Sequence, residues 1–177
     1  MHQKRERFLG AFVYGGIDGT VTTFAVVAGA TWWNLDTHVI IILWFANIIA
    51  DGISMSFGNY LSTQADAEEY MHEHRHPKTG QLAPWQTATV TFSAFILMGC
   101  MPMLVYILQY LGVHILPEHV FFWWSMVTLL TFIIIWGVKW IVTHTSVLRS
   151  VLETVWLGTI AAVLAYYVAN VLSQFIR

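Results

Sequence analysis

The chain has 177 residues, of which 57% are hydrophobic and 10% charged, against about 45–50% apolar and about 25% charged in a soluble globular domain. That excludes a soluble domain. With 9 Trp, 11 Phe and a net charge of -2, the chain is also too apolar for disorder and too weakly basic for a nucleic-acid binder. A single Cys leaves no intramolecular disulfide framework.

The chain holds five apolar runs, each long enough to cross a hydrocarbon core of about 30 Å, with its few Lys and Arg residues almost all outside them. The runs are Gly10 to Trp33, His38 to Tyr60, Gln86 to Leu111, Val120 to Val142 and Thr154 to Phe175. The expectation is an all-α, polytopic membrane protein, with residues 1–177 forming one transmembrane domain of five helices. A cytosolic helix extension and loop is expected over about 61–85. Met1 to Arg7 is a short basic stretch without a convincing cleavage site downstream, so the first run is expected to remain in the protein.

Orientation follows from the basic residues, because Lys- and Arg-rich loops stay on the cytoplasmic side. Lys4, Arg5, Arg7, Arg75, Lys78, Lys139 and Arg149 fall on one side, and only Arg177 on the other. The N-terminus is therefore expected in the cytosol and the C-terminus outside. Trp32, Trp33, Trp123 and Trp124 then share the outer interface, while Trp85 and Trp140 share the inner one, where amphipathic rings are favoured.

Carboxylates inside apolar runs are costly, at about 2.5–3.5 kcal/mol each at mid-membrane, and so point to function. Asp18 lies about 12 Å from the cytosolic end of the first helix and Asp51 about 13 Å from that of the second, which runs the other way. Antiparallel neighbours would bring both acids to one depth, where like charges in a desolvated site are suited to proton exchange. The alternative is that each acid satisfies the backbone of a broken helix. Gly15, Gly16 and Gly19 surround Asp18, and three glycines in five residues are expected to weaken the helix there and free carbonyl oxygens as ligands. Asn47, Asp51 and Met55 recur at i, i+4 and i+8 and share one face of the second helix. Gly52 and Gly58 flank that face, which could equally be a small-residue packing seam. Carboxylate and amide oxygens alone suit Mg²⁺, Ca²⁺ or Mn²⁺, and a thioether shifts the preference toward Fe²⁺ or Mn²⁺.

These residues carry a family resemblance. The stretch Tyr14-Gly15-Gly16-Ile17-Asp18-Gly19-Thr20, continuing through an apolar run to Ala28-Gly29, resembles one of the paired motifs of the vacuolar iron transporter family. Ile53-Ser54-Met55-Ser56-Phe57-Gly58-Asn59-Tyr60 resembles the other. The resemblance implies a homodimer of five-helix protomers that moves Fe²⁺, often also Mn²⁺, out of the cytosol in exchange for protons. It places the path between protomers and matches the family's Asp and Met ligands to Asp18 and Met55. Two departures stand out. Where the family has a Glu in the second helix this chain has Asn47, and Asp51, one turn on, is expected to supply the missing charge.

The family's helical cytosolic metal-binding domain between helices two and three is also absent here. In its place stands a helix extension from Asp66 to His76. There Asp66, Glu69, Glu73 and His76 fall on one face, with Glu68 and His72 beside it, which makes a capture site for Fe²⁺, Mn²⁺ or Zn²⁺. A solvated polar helix end is the alternative. Met98, Cys100, Met101 and Met103 around Pro102 are read as adaptable packing beside a proline kink, with a path for a soft ion as the other reading.

Two other function classes compete. His72, His74 and His76 are spaced like one histidine box of a membrane metalloenzyme, but such sites need several boxes. A non-transporting assembly protein would use the polar stripe for helix association. The expectation is a carrier and no enzyme, with no cofactor. Its partners are the lipid bilayer, the divalent ion it carries as substrate and a second copy of the chain. Compact loops point to the plasma or inner membrane of a prokaryote rather than an organelle membrane.

Overall fold

The computed structural model describes residues 2–72, 82–113, 117–143 and the single positions 156, 160, 163, 164, 167, 168, 170 and 171. Within these, the chain forms four helices and no strand: α1 (His2–Trp32), α2 (Thr37–His72), α3 (Pro84–Tyr110) and α4 (Pro117–Thr143). Each is long and apolar enough to cross a membrane. They coincide with the first four apolar runs, except that α1 begins at His2 and α2 continues unbroken to His72. The fifth run falls largely outside the described residues, and the described positions within it are helical. Arg75, Lys78, Arg149 and Arg177, on which the orientation partly rests, also lie outside them.

Local chemistry sets the chain reversals. α1 ends in a Schellman motif at Asn34, whose φ of 51° places it in the left-handed region. Leu35 N–H donates to the Ala30 carbonyl at 3.1 Å and Asn34 N–H to the Thr31 carbonyl at 3.0 Å. α3 ends the same way at Gly112, with φ 91°, where Val113 N–H reaches the Leu108 carbonyl at 3.0 Å. Asn and Gly are the residues that adopt this backbone at least cost. At its start α3 has Pro84, which needs no N–H partner there, and the Gln86 side chain accepts the Ala83 N–H at 3.1 Å.

α3 is the central helix and packs on α1, α2 and α4. The core joins Val27 of α1, Ile40, Trp44 and Ile48 of α2, Phe95, Met103 and Tyr106 of α3, and Val120 and Trp124 of α4. On α2 only the stripe Ile40, Trp44, Ile48 and Gly52 is buried. Ile42, Phe45, Ile49, Ile53 and Phe57 face outward, an apolar surface suited to lipid or to another membrane helix and not to water.

Glycine lets α1 and α3 approach closely. A Cβ at Gly15 would run into the Thr91 carbonyl of α3, and one at Gly19 into the Phe95 carbonyl. The four-residue spacing repeats on both helices, as in small-residue membrane packing. This corrects the expected weakening of α1: the helix is continuous through Gly15, Gly16 and Gly19, because their backbone bonds remain intact and their missing side chains serve packing.

Two further expectations change. Trp123 is exposed but Trp124 is fully buried, because residues adjacent on a helix point about 100° apart and the Trp124 ring finds packing partners on α1 and α3. Trp124 stacks on Phe24 with centroids 5.0 Å apart and meets Tyr106 edge-on at 6.4 Å. The sulfur cluster of α3 also divides. Met98 and Met103 enter the core beside buried Pro102, Cys100 packs at its edge and Met101 faces out, so these sulfurs do not share one face.

Candidate functional site

The two membrane carboxylates come together. Asp18 of α1 and Asp51 of α2 are each half-buried, and they lie close enough for the Asp51 charge to act on Asp18. Two antiparallel helices with acids about equally far from one end can do this only if they are packed in the matching register. α3 supplies that packing. Gly52, next to Asp51, sits against the Phe92 and Phe95 rings, where a Cβ would lie 3.2 Å from Phe92. Gly19, next to Asp18, sits against the Phe95 backbone. The backbone near both acids is satisfied internally: Thr22 Oγ1 donates to the Asp18 carbonyl at 2.7 Å and Ser56 Oγ to the Gly52 carbonyl at 2.6 Å. The carbonyl oxygens expected as extra ligands are thus engaged in α1.

Asn47 and Met55 are half-buried on either side of Asp51, and Met55 packs at the edge of the core. The i+4 series beginning at Asn47, Asp51 and Met55 continues to Asn59 and Thr63, a polar or soft stripe that winds around α2 by about 40° at each step. Asn59 Nδ2 donates to Thr91 Oγ1 of α3 at 2.7 Å. Beyond it opens a groove of about 430 Å³ lined by α1, α2 and the start of α3, with Glu6, Arg7, Tyr14, Asn59, Thr63 and Asp66 among its walls. Tyr14 precedes Asp18 by one helical turn and Asn59 follows Asp51 by about two. The groove therefore opens along the same helix faces that carry the carboxylate pair. Sequence reasoning missed Glu6, Tyr14, Asn59 and Thr63. Extending the i+4 series two steps past Met55 would have found the last two.

The proposed capture residues scatter. Asp66 lines the groove, whereas Glu68 accepts a hydrogen bond from Gln64 Nε2 at 2.9 Å and lines a separate recess with Met71 and His72. Glu69 is exposed. Glu73 and His76 lie outside the described residues. Among the described residues no three His, Cys, Asp or Glu side chains come together as a metal cage. The membrane pair differs in its neighbourhood, because an amide and a thioether, Asn47 and Met55, lie one turn to either side of Asp51 on α2. Carboxylates with an amide and a thioether suit a borderline divalent ion held loosely enough to leave again.

A sequence profile described as the VIT family matches residues 9–79 and 71–170 of this chain. The chain belongs to the VIT family. The first matched stretch contains Asp18, Asp51 and Met55, and the two stretches meet at the end of α2. Among curated relatives of the family, a vacuolar iron transporter of Toxoplasma gondii is 41% identical over 61 residues, covering 34% of this chain and 20% of that protein. A vacuolar iron transporter of Plasmodium berghei is 31% identical over 74 residues, covering 42% of this chain and 27% of that one. Vacuolar iron transporter homolog 1 of Arabidopsis thaliana is 28% identical over 109 residues, covering 58% of this chain and 54% of that protein. The chain thus spans from about a fifth to about half the length of these VIT relatives. No solved structure matches it. Family membership and four membrane-length helices make the chain an integral, multi-pass membrane protein of a metal-transporting family.

Proposed function

We propose that the protein exports divalent Fe²⁺ or Mn²⁺ from the cytosol in exchange for protons, with Asp18 and Asp51 as the pair that alternately holds metal and proton. One observation carries this reading: two half-buried carboxylates on different helices of an otherwise apolar bundle lie near enough for the charge of one to act on the other. An acid that only closed a helix end would not need a second acid beside it. Met55 and Asn47 complete the ligand set, and Asp51 supplies the charge that Asn47 lacks. Protonation of the pair cancels its attraction for a divalent ion, so a proton entering from outside releases the metal.

The same reading assigns five membrane helices, a cytosolic N-terminus, an external C-terminus and a homodimer whose exposed α2 faces meet. The groove at Glu6 and Asp66 then opens to the cytosol, and Asp66 draws metal to its mouth. The word vacuolar in the relatives' names favours an intracellular compartment over the prokaryotic membrane suggested by compact loops, and localisation of the tagged chain in its host decides between them.

Flux into proteoliposomes tests the core of the proposal, with Fe²⁺, Mn²⁺ and Zn²⁺ offered separately under an imposed pH gradient. Wild type is expected to move Fe²⁺ or Mn²⁺ faster when the gradient drives protons against the metal, and Asp18→Asn to move neither. Wild-type flux that ignores the gradient would remove proton exchange. No flux of any metal would leave an assembly protein as the better reading.

A further inference from the structure

Two steps along each helix from the carboxylates, α1, α2 and α3 are tied by a chain of side-chain hydrogen bonds. Trp44 Nε1–H of α2 donates to Thr23 Oγ1 of α1 at 3.1 Å. Thr23 O–H in turn donates to the Gly99 carbonyl of α3 at 3.1 Å. Trp44 is 4% exposed and Thr23 2%, so the chain is shielded from lipid and water, and a polar group there without its partner is costly. Gly99 admits this approach because it has no side chain: a Cβ would lie 2.7 Å from Ile48 Cδ1 and 3.2 Å from Thr23 Oγ1. Pro102 follows within the same turn of α3, where its missing N–H already weakens the helix ladder.

From this geometry we infer that Thr23 and Trp44 are positioning residues that hold Asp18 and Asp51 at one level, an inference that rests on the transport reading above. Thr23 lies five residues from Asp18, about 7.5 Å along α1, and Trp44 lies seven from Asp51, about 10.5 Å along α2. The helices run antiparallel, so joining Thr23 to Trp44 sets the two acids within about 3 Å of the same depth. α1 and α2 each pack more extensively on α3 than on one another, which leaves their mutual register to be set through α3. Thr23 is the residue that bonds to both neighbours. A slip of one helical turn between α1 and α2 would part the carboxylates by about 5.4 Å and break the ligand set.

Two measurements test this in a Cys100→Ala background. In the first, Asp18→Cys and Asp51→Cys are bridged with bifunctional thiol reagents of graded length, and intramolecular products are identified by mass spectrometry. The shortest reagents are expected to bridge the pair, and Thr23→Val is expected to shift bridging toward longer ones. The second measures Mn²⁺ uptake by proteoliposomes with both acids intact. Thr23→Val is expected to raise the apparent KM about five- to tenfold with a smaller change in maximal flux, the loss expected of one or two buried hydrogen bonds. Thr23→Ser, which keeps the hydroxyl, should return KM to within about twofold of wild type. An unchanged bridging pattern and unchanged KM in Thr23→Val would overturn the inference, as would Thr23→Ser failing like Thr23→Val. Should Thr23→Val not accumulate as folded protein, Trp44→Phe serves in its place. It keeps the ring packing but loses the donor, and it should move both readouts the same way by less, whereas no movement in either refutes the role. If wild type carries no Mn²⁺, uptake is measured with Fe²⁺ instead; if it carries neither, the transport reading fails on its own and the bridging pattern still decides whether the hydrogen-bond chain sets the register.

Discussion

The two ends of the bundle are built differently. At one, where α1 begins and α2 runs on past the apolar stretch, charged and polar side chains line an open groove that follows the faces bearing Asp18 and Asp51. At the other, α1 and α3 stop in tight left-handed turns, and Phe24, Tyr106 and Trp124 fill the space between helices with stacked and edge-on rings. The carboxylates thus have a polar approach from the grooved end and dense aromatic packing toward the other. A bundle that only anchored a partner would have no need of this asymmetry, whereas a carrier must hold one side shut while the other is open.

The contrast can be broken most sharply at the boundary between the two ends. Asp18→Asn is expected to lower metal flux about tenfold or more, because it removes a charge made expensive by its surroundings and therefore kept for function. Its thermal midpoint in detergent should stay at or above that of wild type, since a half-buried carboxylate beside another carboxylate does not stabilise the fold. A lower midpoint would make Asp18 structural instead.

Next in size is the packed end. Trp124→Ala should cost about 3–5 kcal/mol of stability, the loss typical of deleting a large buried ring, as measured by thermal or denaturant unfolding in detergent. Trp124 Nε1, which finds no hydrogen-bond partner among the described residues, reduces that cost somewhat. Tyr14→Ala, at the grooved end, should cost far less because Tyr14 is exposed.

The seam joining the ends comes third. Gly19→Ala forces a methyl group into the Phe95 carbonyl and should destabilise by about 1–3 kcal/mol, as overpacking does. Gly29→Ala, which meets nothing within 4 Å, should be neutral or slightly stabilising in the same unfolding experiment. Equal effects at the two positions would mean that helix propensity, and not close approach to α3, governs α1.

The smallest effect is expected at the groove mouth. Asp66→Asn should raise the apparent KM for Mn²⁺ about twofold, since the attraction of an exposed carboxylate is screened by salt. Repeating the measurement at high ionic strength should abolish the difference. A large, salt-independent loss would make Asp66 a direct ligand.

Much of this was legible in the chain itself. Apolar runs of membrane length separated by short polar or turn-forming stretches located α1 to α4, because in lipid each helix must be continuous and apolar to satisfy its own backbone. Asp18 and Asp51 stood out for the same reason, and their equal distance from one end is consistent with the influence of the Asp51 charge on Asp18. The glycines around Asp18 were misread, since a glycine that weakens a helix and one that admits a neighbour look identical until the neighbour is placed. Trp124 was misread likewise, as adjacent tryptophans show no preference for core or interface until a packing partner such as Phe24 fixes one of them. The capture set from Asp66 to His76 showed helical spacing, but spacing does not say which helix lies opposite. Asp66 turned out to face α1 and α3, while Glu68 paired along its own helix.

The sequence by itself determined the solvent, the helices and the cost of the two buried acids, because hydrophobicity and length act locally along a chain. Tertiary structure decided which small residues form the α1–α3 seam, where the polar groove opens, and how Thr23 links three helices above the carboxylate pair. Those features depend on distances between segments far apart in sequence, and only the packing of one helix against another sets such distances.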